Sequence, residues 1–399
     1  MISQIIPFIT SPLLSRIYSP EMFSVFALFL STVNILDVFA TLKYDLAVMV
    51  AQDGDEAADA LWLCIGISLA LSIAVLCATP LAIWLFPSFF GEQSRWLYLV
   101  PVSVFFTSLF STLSYYNLRQ NQIAHITRAN IVRALCASAV QITLGLLGFG
   151  AVGLLLGQAV SYLLGSIMLL FGTAAHIPRP SRQTIKAAAK RHREFPLFTL
   201  PGTLATTLSY NLVSYFLKAF FVPAQLGYYS LVNQVLSMPL TVISGAVGNV
   251  FLKKSAEEAN EKQLNARTFD VITRTLFFLS VPIFTVLFIF ATPILRIFLG
   301  EQWVPAAGMV RALIPMFFAR FVVTPVTSSA IVAGRQAAAM IWQLSLLAAS
   351  LIPALIQLMQ PLSINRYLSL LSALLAVSYG VFYLYCRRLL KSKMPPANR

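Results

Sequence analysis

Apolar stretches of membrane-spanning length recur along this chain, separated by short polar connections. They fall near 1–15, 22–42, 60–86, 95–117, 128–148, 151–174, 197–220, 228–250, 270–293, 307–333, 337–359 and 363–386. About 20 helical residues cross the hydrocarbon core of a bilayer. Every backbone group inside it must be bonded within its own segment, so these stretches are predicted to be helices. Period-two alternation is absent, which argues against an outer-membrane barrel. The expected class is all-α, a polytopic membrane protein of about 12 transmembrane helices. Met1 to Leu14 is apolar, lacks a basic start or a small-residue cleavage site, and is shorter than a full span.

Charge points the same way. Only 11% of the residues are charged, against roughly a quarter in a soluble domain. The net charge of +14 would suit a nucleic-acid partner, but the basic residues sit in short clusters between apolar runs, as in membrane proteins. No nucleic-acid partner is expected. Cys64, Cys77, Cys136 and Cys386 are scattered with no CxxC spacing and read as small hydrophobes. No P-loop, GxSxG or HExxH signature is present, so neither an enzyme nor a cofactor is expected.

Lys and Arg in the loops set the predicted orientation. With the N-terminus inside, one side collects Lys43, Arg119, Arg128, the 179–193 cluster, Lys253 to Arg274, Arg335 and the tail from Arg387. The other side keeps mainly Arg16, Arg95, Arg296 and Arg366. Both chain ends are therefore expected in the cytoplasm.

The basic connection near the chain midpoint suggests two halves: a six-helix lobe at 1–175, a linker at 176–196, a second six-helix lobe at 197–386 and a basic tail at 387–399. An internal repeat supports the division. Tyr18 to Phe26 aligns with Phe221 to Tyr229 at a shift of 203, matching Pro20 to Pro223 and Phe26 to Tyr229. Gly91-Glu92-Gln93 echoes Gly300-Glu301-Gln302, and Arg119-Gln120 echoes Arg335-Gln336. A parallel repeat relates the halves by an axis along the membrane normal and predicts a central cavity between them.

Ser15-Arg16-Ile17-Tyr18-Ser19-Pro20-Glu21-Met22-Phe23 resembles the turn after the first helix of bacterial polysaccharide-biosynthesis flippases. Ala40 to Ala47 is similar to the end of their second helix. Arg193-Glu194-Phe195-Pro196, Pro201, Gly227-Tyr228-Tyr229 and Met238-Pro239-Leu240 are similar to the entry to their second half. The chain thus resembles, over nearly its whole length, the O-antigen and exopolysaccharide branch of the multidrug/oligosaccharidyl-lipid/polysaccharide (MOP) exporter superfamily. It departs at Ser24, where that family usually has glycine. The resemblance implies a bacterial inner-membrane protein that carries an undecaprenyl-diphosphate-linked oligosaccharide to the periplasmic leaflet by alternating access, for O-antigen, capsule or exopolysaccharide synthesis. Its implied partners are that lipid-linked oligosaccharide, membrane lipids and polysaccharide polymerase or assembly proteins. A coupling ion, H+ or Na+, stays open.

Ionisable groups inside spans are costly and so are candidate site residues. Asp37 suits a counter-ion, cation or proton site, or a structural ion pair. Arg128 and Arg133 suit a diphosphate, which a guanidinium fork matches, or interface anchoring. Arg320 lies deep in the tenth run and is assigned to the cavity. Lys218, Lys43 and Arg16 stand near helix ends, where anchoring explains them as well as substrate contact does. Pro282, Pro315, Pro325 and Pro353 mark candidate kinks. Other readings are a multidrug or cation efflux antiporter of the same superfamily, a lipid-linked glycan polymerase or ligase, and a non-transporting scaffold. The first would call for several intramembrane acids, yet Asp37 is essentially alone.

Overall fold

The computed structural model describes residues 2–51, 53–87, 94–173, 182–248, 250–251, 266–332 and 335–392. Gly91-Glu92-Gln93, the 179–181 part of the basic cluster, most of the 253–267 stretch and the tail beyond Ser392 lie outside them. Among the described residues the regular structure is helical, with no strand.

Each of the twelve predicted runs coincides with a helix. These are α1 (Ile2–Ile17), α2 (Pro20–Ala40), α4 (Gly54–Leu85), α5 (Leu99–Arg119), α6 (Ile123–Leu146) and α7 (Ala151–Thr173), then α9 (Leu200–Phe220), α10 (Pro223–Pro239), α11 (Ala266–Ile289), α13 (Ala307–Val323), α14 (Gln336–Met359) and α15 (Ile364–Ser392). Shorter helices join them, among them α3 (Asp45–Val50), α8 (Arg182–Arg191) and α12 (Ala291–Phe298), besides a single helical turn at Ser329–Val332. Ten of the described helices are long and apolar enough to span a membrane. Two predicted spans are not among the ten. With 16 residues α1 is too short, and α9 has 21 residues but carries too many polar ones.

Boundaries moved where capping outweighs hydropathy. The third run was expected to begin near residue 60, but α4 starts at Gly54 because the Asp53 side chain accepts the Glu56 N–H at 2.7 Å. Asp55 and Glu56 then sit in the first turn, where the helix dipole favours acids. The tenth run ends early: α13 stops at Val323, and Pro325 lies in a short 3-10 turn rather than kinking a continuous helix. Pro315 stays inside α13, and the Met316 N–H is donated to Ser372 Oγ of α15 at 2.9 Å.

The chain divides into two compact units, Met1–Ala219 and Phe220–Arg399. The division falls after α9 rather than within 176–196, so a helix expected to open the second lobe is grouped with the first unit. Hydrogen bonds between α2 and α9 tie it there.

In the first unit α6 and α7 pack through small residues. A Cβ on Gly153 would stand 2.4 Å from the Tyr18 hydroxyl oxygen, and one on Gly157 would stand 2.4 Å from Gln141 Cγ. Close approach therefore requires glycine at both places. It lets Tyr18, fully buried, donate to the Gln141 carbonyl at 2.6 Å, while Gln141 Nε2 donates to the Leu154 carbonyl at 3.1 Å. In the second unit aromatic rings fill the same kind of gap. Phe277 and Phe284 pack edge-on against Phe318, and Trp342 stacks on Phe382 at 4.2 Å between centroids.

Candidate functional site

A spanning helix tolerates an inward polar residue only where it finds a partner or water. The candidates of the first unit sort on that basis. Arg133 is half-buried on α6, its guanidinium 4.5 Å from the centroid of Tyr162 on α7 and 5.5 Å from that of Phe110 on α5. Two ring faces hold the cation in place, and its buried Nε has no hydrogen-bond acceptor. Arg128, five residues earlier on the same helix, is exposed. The pair is therefore separated in role: Arg133 is a lodged charge, and Arg128 stands on the surface.

Asp37 lies one turn before the end of α2, half-buried, with Oδ1 enclosed and without a hydrogen-bond donor. Lys43 and Asp45 are close enough for their charges to act on it. Lys43 is brought round by a left-handed turn, with φ of 47° at Leu42 and 65° at Lys43. Asp45 is buried behind that turn and accepts the Leu46 N–H. Asp37, Lys43 and Asp45 thus form one local group at the end of α2.

The remaining candidates stand on other helices. Arg16 is exposed in the last turn of α1, where a cation is favourable beside the helix C-terminus. Lys218 is half-buried in the last turn of α9. Arg320 belongs to the second unit, in the last turn of α13, with its guanidinium 5.5 Å from the Phe317 ring centroid. Tyr229 of α10 is close enough to feel its charge.

Several functional-looking contacts were not anticipated. The clearest is a ladder between α2 and α9: Ser31 donates to Ser214 at 2.9 Å, the Thr32 and Tyr215 hydroxyls meet at 2.6 Å, and Asn34 Nδ2 donates to Asn211 Oδ1 at 3.2 Å. Its signal was present in the composition of α9, with Thr203, Thr207, Asn211, Ser214 and Lys218 returning at helical spacing. Arg119, grouped by sequence with the loop bases, donates to the Ala51 carbonyl and, at 2.9 Å, to the Asp53 carbonyl, closing the turn between α3 and α4.

The basic connection is also more than a solvated linker where it is described. Its helix α8 lies on α4: Glu56, buried, accepts from Arg191 at 2.8 Å and stands 3.0 Å from His192 Nε2. Thr184 donates to Asp59 at 2.7 Å, and Tyr44 to the Ala189 carbonyl at 3.1 Å. The Glu56 hydrogen bond and charge raise the Arg191 pKa above its ordinary value.

Comparison with known proteins places this architecture. Residues 13–308 match the family described as polysaccharide biosynthesis protein. The succinoglycan biosynthesis transport protein ExoT of Rhizobium meliloti (strain 1021) is 24% identical over 304 residues, 74% of this chain and 59% of that protein. The chain thus spans about three fifths of the length of that curated relative. Among solved structures, an inward-facing multidrug resistance MATE family transporter of the MOP superfamily superposes with a TM-score of 0.76 at 12% identity, over 99% of this chain and 96% of that one. The lipid II flippase MurJ, in an inward closed conformation, superposes with a TM-score of 0.75 at 15% identity, over 96% and 85%. At these identities the structures establish the fold.

Proposed function

The chain belongs to the polysaccharide biosynthesis protein family, a multi-pass membrane protein with the MOP exporter fold, and from that premise we propose that it is a flippase for a lipid-linked oligosaccharide. The cargo in this reading is an undecaprenyl-diphosphate-linked repeat unit, moved from the cytoplasmic to the periplasmic leaflet of the bacterial inner membrane by alternating access, with both chain ends in the cytoplasm. The protein is a transporter in this reading, not an enzyme.

The physical need is clear. A sugar and a diphosphate cannot enter about 30 Å of hydrocarbon unaided, whereas a polyprenyl tail is at home there. Only the headgroup requires a polar route. The observation that carries the reading is Arg133, a cation held inside an apolar helix by two aromatic rings with its Nε unbonded. A diphosphate is the kind of anion such a group would take. Arg320, its guanidinium over the Phe317 ring, supplies a second intramembrane cation, in the second unit.

The test is a chromosomal deletion in a host that makes its surface polysaccharide, complemented with wild type, Arg133→Ala or Arg320→Ala at equal expression. Lipid-linked repeat units are then followed by leaflet. Accumulation on the cytoplasmic face, relieved by wild type and not by the variants, is the expected result. Normal polysaccharide and normal lipid-linked pools in a deletion strain with no redundant paralogue would sink the reading. One observation favours a second reading, efflux of a cationic compound: the undonated oxygen of Asp37. In that case the pools stay normal and the deletion strain becomes sensitive to cationic drugs.

A further inference from the structure

Helix α9 is anomalous among its neighbours. It is as long as α2 and α5, 21 residues each, yet it alone of the three is too polar to be counted among the spans. Its polar residues are not scattered. Thr203, Thr207, Asn211, Ser214 and Lys218 follow steps of four, four, three and four, one face of a helix. On α2, Ser31, Asn34 and Asp37 follow steps of three and also share a face.

The two faces meet antiparallel, since Ser31 pairs with Ser214 and Asn34 with Asn211. The ladder changes character along its length. Ser31 and Ser214 are buried and satisfy each other. Asn34 is exposed, and among the described residues its Oδ1 accepts no hydrogen bond. Asn211 directs its own amide at the Thr207 carbonyl and is only half-buried. One turn beyond Asn34, Asp37 carries the oxygen without a donor.

An amide and a carboxylate turned toward lipid would each cost several kcal/mol, by the same accounting that keeps loops out of hydrocarbon. The exposed Asn34 therefore faces water, with the enclosed Oδ1 of Asp37 behind it. What this end of the face presents is neutral amide groups beside the Asp37 carboxylate, with Lys43 near that carboxylate and no Arg on the same faces. That set differs from what a diphosphate takes. It suits a polyhydroxyl ligand, because each sugar hydroxyl both donates and accepts, an amide answers both, and a carboxylate accepts two donors.

We infer that the open end of the α2–α9 face, Asn34 and Asn211 with the enclosed carboxylate oxygen of Asp37 one turn behind them, is a carbohydrate subsite that contacts sugar hydroxyls of the cargo, apart from the arginines assigned to its diphosphate. The inference rests on the flippase reading and adds a second point of recognition to it.

The test titrates the purified full-length protein with two probes. One is the lipid-linked repeat unit extracted from the deletion strain, and the other is undecaprenyl diphosphate without sugar. Wild type should bind the sugar-bearing lipid more tightly. The Asn34→Ala/Asn211→Ala double variant should lose about tenfold in affinity for it, the scale of polar groups left unpaired, while binding of the bare lipid stays within about twofold. Asp37→Asn, which keeps the shape, should lose in the same direction and carries the test if the double variant does not fold. Ser31→Ala removes the buried rung without touching the open end, and it should leave the ratio between probes unchanged. Equal weakening of both probes by the Asn variants, or a wild type that does not prefer the sugar-bearing lipid, would overturn the subsite and leave the flippase standing. A wild type that binds neither probe would overturn the flippase reading itself.

Discussion

Pro20 and Pro223 each open a helix after an extended residue, Ser19 with ψ of 162° and Val222 with ψ of 148°, and from there the two helices diverge. At the repeat shift of 203, Ser31, Asn34 and Asp37 of α2 correspond to Gln234, Ser237 and Leu240 of the second unit. The carboxylate position has become a buried leucine. Where α2 runs unbroken to Ala40, α10 reaches Pro239 and passes into a π turn, Leu240–Ser244, whose last hydroxyl donates to the Phe321 carbonyl at 2.9 Å. Both units do meet a tryptophan edge-on, Phe29 on Trp96 at 6.3 Å in the first and Tyr228 on Trp303 at 5.7 Å in the second. The two segments share how their helices begin, and of the three compared positions only that of Asp37 turns apolar. Sequence symmetry in such a chain is thus a guide to architecture and a poor guide to chemistry.

Substitutions that exchange the two copies test this contrast. The largest effect is expected from Leu240→Asp, which gives the second unit the charge of the first. A carboxylate at a buried intramembrane position costs about 3 kcal/mol on insertion scales, so the variant should accumulate poorly and melt early by fluorescence-detected size exclusion. The reciprocal Asp37→Leu should do the opposite: it removes an undonated oxygen, so yield and melting temperature hold or rise, while complementation of the deletion strain falls more than about tenfold. If both exchanges are tolerated in transport and in folding, the contrast is wrong.

A smaller effect is expected at the buried rung. Ser31→Ala removes one interhelical hydrogen bond, worth about 0.6 kcal/mol in the average membrane case, and should lower the melting midpoint slightly while transport persists. The smallest concerns the α8 clamp. Arg191 is mostly exposed, so Arg191→Ala should leave the melting midpoint unmoved. Glu56→Leu, which withdraws the shared acceptor from both Arg191 and His192, should instead speed proteolysis within 182–193. Equal protease resistance in the two variants would show that α8 is held by Tyr44 and Thr184 alone.

The helices were legible because each is a local property. Every predicted run is a helix, and the repeat at Pro20 and Pro223 was readable because proline fits the first helical position for reasons internal to that turn. The beginnings that were missed, such as Gly54, depend on one capping carboxylate, Asp53, which hydropathy does not register. Of the candidate residues, Arg133 is legible with Arg128 as a cation for a diphosphate or an interface anchor, but nothing local reveals Tyr162 and Phe110 around it. Arg119 was read as a loop base, since its acceptors are backbone carbonyls with no residue signature.

By itself the sequence determined that this chain is a set of membrane helices, because hydrocarbon forces each segment to satisfy its own backbone and leaves the pattern in local composition. Only the tertiary structure decided which polar groups answer one another. Ser31 and Ser214 are 183 residues apart, and Asn34 and Asn211 are 177 apart. Their meeting depends on the antiparallel register of α2 against α9. Periodicity shows that a helix has a polar face, and packing alone selects the face it meets.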